Sequence, residues 1–565
     1  MKRKFGIISA LIPAAIMLWY GSHAMHAAYA DVPDGALGNE VKKAVDYGLM
    51  NGLSDTVFGY SAPMTRAQFV TVLDRMLLSK ADKTLLAQTE NAPLPDTMNL
   101  PDAFPRTYYT ALSHAVACDV VETSVPFRPN EPVTREAMAE MLVKALGLDN
   151  AALSLSSNRI LSFSTEPSSG STAENLTPFL DLPEGKEGYA AIAYAIGMTN
   201  GLSKNSFAPN ATATRAQAAA MLTRVHEKLQ RKIDFRHGFY AVTDAPPALN
   251  IAADVVSLEW SHMTWNNANA ALMTKPNGSR GRFIPSNYGK IVETLTAGGA
   301  KLYLSVFMDA SGGIEELLDS AGGRAQAVKE IVYELTVPYP ELEGNPYSGV
   351  TIDFEGLRQE QRELFTQFLS ELKDALSPTG KGVYVCVPPH TSTGRRDDGY
   401  DYRAIAELAD KLILTAYDYH SQNLNNFLGT EAYKNEASAP LDRVYLSLLK
   451  LTEEVADSSK LVLGVSSRHT AWEIGRDDDQ LLSGVPVSPD TETLRRYLES
   501  PGTQRGWSIP YQMPYAIYST REGSRYFVWY ENAQSIRKKA DIAQLLGITG
   551  LSCRNMNPTP LYAPW

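Results

Sequence analysis

Cysteine is scarce in this chain: Cys118, Cys386 and Cys553 are the only three among 565 residues. An odd, widely spaced set makes no disulfide framework, even in an exported protein. No CxxC or HExxH spacing occurs, and no acidic cluster has cation-ligand spacing, so neither zinc nor another metal is expected. Positive charge is also in deficit. The 52 Lys and Arg against 63 Asp and Glu leave a net charge of −11, which argues against nucleic acid or an anionic membrane surface as a partner. Compositional bias is absent too: 44% hydrophobic and 20% charged residues describe a globular chain. Its length exceeds what one core usually fills, about 250–300 residues, so several domains are expected. Past the first thirty residues no apolar run is long enough to span a bilayer.

Those first thirty residues read as an address. Lys2, Arg3 and Lys4 precede the apolar stretch 5–20, and Ala28 and Ala30 supply the small residues that a signal peptidase reads. A signal peptide over 1–30 is expected. The mature protein is then secreted, with no membrane segment left after cleavage.

What the sequence does have is repetition. Segments 58–66, 127–135 and 207–215 each begin with Phe and carry Thr seven positions later, followed at once by Arg66, Arg135 or Arg215. Behind each Thr-Arg pair the apolar residues recur at helical spacing, so the Thr is read as a helix N-cap. Gln68 and Gln217 stand three residues on, as capping boxes require, whereas the middle copy has Ala137 there. The repeated Arg opposes the helix dipole, a cost of about 0.3–1 kcal/mol, so helix stability does not explain it. Two explanations stand: a salt bridge to a neighbouring repeat, or an exposed guanidinium ready to grip an anion.

These three copies resemble S-layer homology domains. The boundaries are 31–90, 91–149 and 179–230, with a Ser/Thr-rich stretch over 150–178 read as a flexible insertion. The resemblance implies an all-α, pseudo-threefold module that binds an anionic secondary cell-wall polysaccharide at the S-layer surface. Arg66, Arg135 and Arg215 would be its groove arginines. The Trp usual in the first helix of each copy is missing.

From about residue 235 the texture changes to short apolar runs alternating with amphipathic helical patterns. The runs are 238–242, 255–260, 301–307, 350–354, 383–387, 411–417, 461–465 and 548–553. Eight of them, spread over 235–565 among helices, predict an α/β protein folded as a (β/α)8 TIM barrel, with its chemistry at the C-terminal strand ends. Cys386, inside the fifth run, is expected to be a buried thiol. The fourth run places Thr351, Asp353 and Glu355 on one strand face, so two carboxylates emerge together where the strand ends. Crowding two such groups makes ionising both costly and can leave one as a general acid.

The stretch 349–355 resembles the signature strand of the family-18 glycoside hydrolases. Residues 414–420, 463–465 and 527–536 are similar to later segments of that family, and 401–406 is similar to its spore-cortex-lytic, peptidoglycan-acting branch. The resemblance implies substrate-assisted retaining hydrolysis of GlcNAc-containing β-1,4 glycans, peptidoglycan or chitin-like, without a cofactor. Glu355 would protonate the leaving oxygen, and Asp353 would orient the acetamido group and face the oxazolinium charge. Tyr417 would bond the acetamido carbonyl, with Asp418 lining the same subsite. The alternative is a non-catalytic glycan-binding or S-layer structural protein with a degenerate barrel. Three departures bear on that choice: Ser348 and Thr351 replace two carboxylates of the signature, and Arg554 stands where an aromatic floor is expected. Trp260, Trp265, Trp472 and Trp529 are the candidate stacking surfaces.

Overall fold

The computed structural model describes residues 29–81, 85–86, 94–95, 98–100, 105–156, 177–242, 253–276, 281–389 and 398–554. All but the last two residues of the expected signal peptide lie outside the described residues. The N-terminal region is helical: α1 (Ala36–Asp46), α2 (Arg66–Met76), α3 (Arg106–Ala117), α4 (Arg135–Ala145), α5 (Asp149–Ser156), α6 (Glu187–Ala195) and α7 (Arg215–Leu229). Thr65, Thr134 and Thr214 cap α2, α4 and α7. Both expected capping boxes form, and at the middle helix Thr134 makes only the bond to Ala137 N.

The three capped helices close into a ring. A helix leaves its first N–H groups without intrahelical partners, and here the next repeat supplies the acceptors. Arg66 N donates to Glu131 O at 3.0 Å, Arg135 N to Ala211 O at 2.9 Å, and Arg215 N to Ala62 O at 2.8 Å. The side chains follow the same circuit. Nε of Arg66, Arg135 and Arg215 donates to the carbonyls of Phe127, Phe207 and Phe58 at 2.8, 2.7 and 2.9 Å. Each guanidinium also lies over the ring of that Phe, 4.9–5.3 Å from its centroid. The repeated Phe and the repeated Arg are thus two halves of one joint. That joint, not a salt bridge, offsets the unfavourable dipole position.

The insertion expected to be flexible begins as ordered helix. Its residues 150–156 belong to α5, with Ala151, Ala152 and Leu155 buried, while 157–176 lie outside the described residues. Helix α6 packs so closely on α5 that a Cβ at Gly188 would stand 1.9 Å from Ala152 O. A larger residue at that point has no room.

The C-terminal region is the expected barrel. Its parallel strands are β1 (Phe235–Tyr240), β2 (Val255–Trp265), β4 (Lys301–Met308), β5 (Tyr347–Phe354), β6 (Gly382–Val387), β7 (Lys411–Thr415), β8 (Leu461–Ser466) and β13 (Gly550–Arg554). Pairing of β1 with both β2 and β13 closes the ring, and β3 (Ala270–Met273) is an antiparallel extension on β2. Each of the eight apolar runs supplies one barrel strand, although the first and fourth begin three residues earlier than their patterns suggest. Phe365, Phe368, Leu369, Leu372 and Leu376 form the buried face of the helix Arg362–Leu376 that follows β5.

Between β8 and β13 the chain builds a second sheet that the periodicity did not reveal. Strands β9 (Thr470–Ile474), β10 (Gln504–Ser508), β11 (Met513–Ser519) and β12 (Arg525–Trp529) are antiparallel, in the order β10-β11-β12-β9. This lobe stands beside the barrel mouth on its own apolar core, which includes Trp472, Phe527 and Trp529.

Candidate active site

Parallel register brings the site together. Strand β5 lies between β4 and β6 with Thr351 beside Ser305 and Asp353 beside Phe307. Both Thr351 and Asp353 are buried. Glu355, one residue beyond the strand, is held by its N–H on Met308 O at 2.8 Å, and its side chain is exposed at the mouth. Asp353, Glu355, Tyr417 and Asp418 line one cavity of about 340 Å³ at the C-terminal ends of the strands. Two pairs of residues far apart in sequence therefore meet at one opening.

Their protonation tendencies differ. Glu355 stays open at the mouth, yet the barrel wall crowds its carboxyl; this partial loss of solvent and the nearby Asp353 charge push it up to about 7, against the opposing pull of Arg554 and Arg282. A carboxylic acid that keeps its proton near neutral pH can serve as a general acid. Burial holds the Tyr417 phenol far above its ordinary range, so it remains an O–H donor. The Cys386 thiol, also in the cavity wall, is raised by burial and is not a nucleophile. Asp418 has a left-handed backbone, φ 61°, a conformation that a non-glycine residue adopts at some cost, and its carboxylate pairs with Arg468 at 3.2 Å.

Beneath the cavity Asp353 meets an arrangement that no motif announced. Arg554 Nη1 donates to Asp353 Oδ2 at 3.0 Å, and Arg554 Nη2 stands 2.5 Å from Glu259 Oε1. Arg282 Nη1 lies 3.6 Å from the same Glu259 oxygen and 3.9 Å from Asp353 Oδ2. The Glu259 contacts are ion pairs without hydrogen-bond alignment. The guanidinium of Arg282 lies 3.7 Å from the ring centroid of Phe307, and that of Arg554 lies 4.6 Å from that of Phe239. Two cations and two anions thus occupy the barrel interior, stacked on two aromatic rings.

A neutral chain of hydrogen bonds lies alongside. Thr351 Oγ1 is 2.6 Å from Ser257 Oγ, which is 2.8 Å from His237 Nε2, while His237 Nδ1 is 2.7 Å from Ser552 Oγ. Burial drives His237 down to about 3, so it is uncharged at neutral pH. Polar residues alternating through β2 at Ser257, Glu259 and Ser261 were the available signal for this interior layer. Arg282 sits in an irregular segment, where no periodicity could have pointed to it.

Other expectations need correction. Trp260, Trp472 and Trp529 are fully buried and are packing residues, not sugar-stacking surfaces; Trp529 Nε1 donates to Tyr433 O at 3.0 Å. Trp265 is partly buried. The three repeat arginines are not gathered at one point but sit at three separate joints, and Arg135 and Arg215 lack the expected exposure, at 8% and 4%. Their Nη2 groups reach Thr199 Oγ1 and Asn51 O at 2.8 and 2.5 Å. Arg66 remains partly exposed.

Comparison with known proteins agrees with both halves of this description. Residues 299–556 match the family model for glycosyl hydrolases family 18, and residues 28–70 and 178–219 match that for the S-layer homology domain. The chain is 27% identical over 216 residues to the cortical fragment-lytic enzyme of Bacillus subtilis, covering 36% of this chain and 46% of the relative. It is 24% identical over 227 residues to the di-N-acetylchitobiase of Mus musculus, covering 37% and 60%. The chain spans about half the length of the curated relatives it matches. Among solved structures it is similar to the Bacillus cereus spore cortex-lytic enzyme SleL, at 18% identity, 59% and 73% coverage and a TM-score of 0.45.

Proposed function

We propose that this protein is a cell-wall-anchored glycoside hydrolase that cleaves GlcNAc-containing β-1,4 glycans, peptidoglycan or chitin-like, with retention. The observation that carries the reading is Glu355: a carboxyl raised to about 7, open to a cavity that also holds Asp353 and Tyr417. In the proposed reaction Glu355 gives its proton to the leaving glycosidic oxygen while the substrate's acetamido oxygen attacks the anomeric carbon. Asp353 accepts the acetamido N–H and faces the positive charge of the oxazolinium. Tyr417 donates to the acetamido oxygen before attack, and Asp418 lines the same subsite. Glu355, now a carboxylate, takes a proton from the water that opens the oxazolinium, which restores the enzyme. In this scheme protein side chains, the substrate and one water supply every reacting group.

The helical region is proposed to anchor the secreted protein to an anionic secondary cell-wall polysaccharide after removal of residues 1–30. We read it as three S-layer homology copies, because the middle Thr134-Arg135 unit repeats the joint geometry of its neighbours. Arg66, Arg135 and Arg215 mark the clefts between copies. Arg66 is the member best placed to meet a ligand, since the other two are committed to protein carbonyl and hydroxyl groups.

Incubating the purified protein with peptidoglycan and with chitin oligosaccharides, followed by product analysis, tests the catalytic reading. New reducing ends with retained anomeric configuration are expected. Binding without cleavage above the level of Glu355→Gln would leave a glycan-binding protein instead.

A further inference from the structure

We propose that Arg554 is a positioning residue that, with Arg282, keeps Asp353 as a charged carboxylate aimed toward β13 and so prepared for the acetamido group. The inference rests on the catalytic reading of Glu355 and Asp353 given above. It begins from a difficulty. Asp353 is 1% exposed, and a buried carboxylate without compensation is costly enough that it takes up a proton instead. Thr351, its neighbour on the same strand face, cannot exchange a proton with it and is bonded to Ser257. Something else must hold the charge.

The groups packed around Asp353 identify it. Strand β13 presents Arg554, the segment before the helix Tyr288–Ala297 presents Arg282, and β2 presents Glu259. Strand β1 presents His237, which is neutral. Cys386 on β6, Tyr417 beyond β7 and Glu355 complete the surroundings. Arg554 and Arg282 are the cations of this set, and both reach Asp353 through Oδ2. Neither arginine engages Oδ1, the oxygen assigned here to the substrate N–H.

Glu259 explains why two arginines can be placed there. It balances the second guanidinium, so the four groups sum to zero charge, and breaking such a buried group by removing one member is strongly unfavourable. The rings of Phe239 and Phe307 underlie the guanidiniums and restrict their positions. Arg554, which replaces an expected aromatic floor, thereby takes over the charge-holding duty that Thr351 cannot perform.

The test compares wild type, Arg554→Met and Arg554→Lys on a soluble chitin oligosaccharide, with kcat and KM measured across pH. Arg554→Met is expected to lower kcat about 10–100-fold with little change in KM. Arg554→Lys should recover only part of kcat, because an ammonium replaces the charge but not the fork of donors. Thermal unfolding supplies an arm that does not depend on activity. Arg554→Met should destabilise the protein at pH 7, and adding Asp353→Asn should restore part of that loss by removing the orphaned carboxylate. A cleaving wild type whose Arg554→Met variant keeps its kcat, or strictly additive unfolding effects, would overturn the inference. An inert wild type overturns the catalytic reading itself, whatever the unfolding cycle shows.

Discussion

Among the described residues five arginines lie over phenylalanine rings, three in the helical region and two in the barrel, and the two sets do different work. In the helical region each guanidinium donates through Nε to a backbone carbonyl of the neighbouring unit, and none of these bonds involves a carboxylate. In the barrel the same stacked arginine faces carboxylates, Asp353 and Glu259. The first arrangement is a mechanical joint, indifferent to pH and weakly sensitive to salt. The second stores charge where solvent cannot screen it, and so bears on protonation at the cavity. One residue pair serves either purpose according to what its polar edge meets.

The sharpest way to separate the two regions is to disable one without touching the other. Glu355→Gln keeps the shape of the side chain but removes the transferable proton. Glycan hydrolysis should fall by about 10²–10⁴-fold or more, while pelleting with purified cell walls stays as in wild type. Parallel loss of wall binding would mean that the barrel, not the helical region, is the anchor.

Breaking the joint is the converse experiment. Arg215→Ala strips the Phe58 carbonyl, on a buried residue, and the Asn51 carbonyl, on an exposed one, of their donor, and the buried acceptor left without a partner costs about 1–3 kcal/mol. Chemical denaturation of the helical region should reveal that loss, with hydrolysis of soluble glycan unchanged. Arg66→Ala should cost less stability but weaken wall binding in a salt-dependent way. If Arg66→Ala destabilises as much as Arg215→Ala and leaves wall binding intact, the three joints are equivalent and purely structural.

Smaller effects sharpen the picture of the repeats. Thr214→Ala loses a capping box and Thr134→Ala a single cap bond. The first should cost about 1 kcal/mol or somewhat more and the second less, within the roughly 0.5–2 kcal/mol span of such caps, as read by thermal melts.

The smallest expected effect is on pH-dependent stability at the mouth. Glu355 is raised in the fold from its ordinary value of 4.5 to about 7. The native state therefore binds more protons than the unfolded chain between those values, and stability falls as pH rises through that window. Solvent at the mouth moderates the size of the effect. Glu355→Gln should melt like wild type near pH 4 and slightly higher than wild type above pH 7. The activity of wild type should decline on the alkaline side of about pH 7, as the acid loses its proton.

Much of this protein was legible from its residues, and the reasons are local. Apolar runs of strand length separated by helical patterns marked all eight barrel strands, because parallel strands covered on both faces are rich in apolar residues. The period of two placed Asp353 and Glu355 on one side of β5, and the Thr-x-x-Gln spacing marked two capped helices, since both follow from backbone geometry alone. The inserted sheet β9–β12 escaped notice because its half-buried strands alternate irregularly and lie between two regular units. Only tertiary structure could decide what the arginines do. Arg554 and Asp353 are 201 positions apart and Arg215 and Phe58 are 157 apart. A side chain's charge state and partners depend on which atoms surround it in space, and sequence proximity carries no record of that. The chain determined its elements by itself; closure of the ring and of the barrel decided which of its arginines became joints and which became counter-charges.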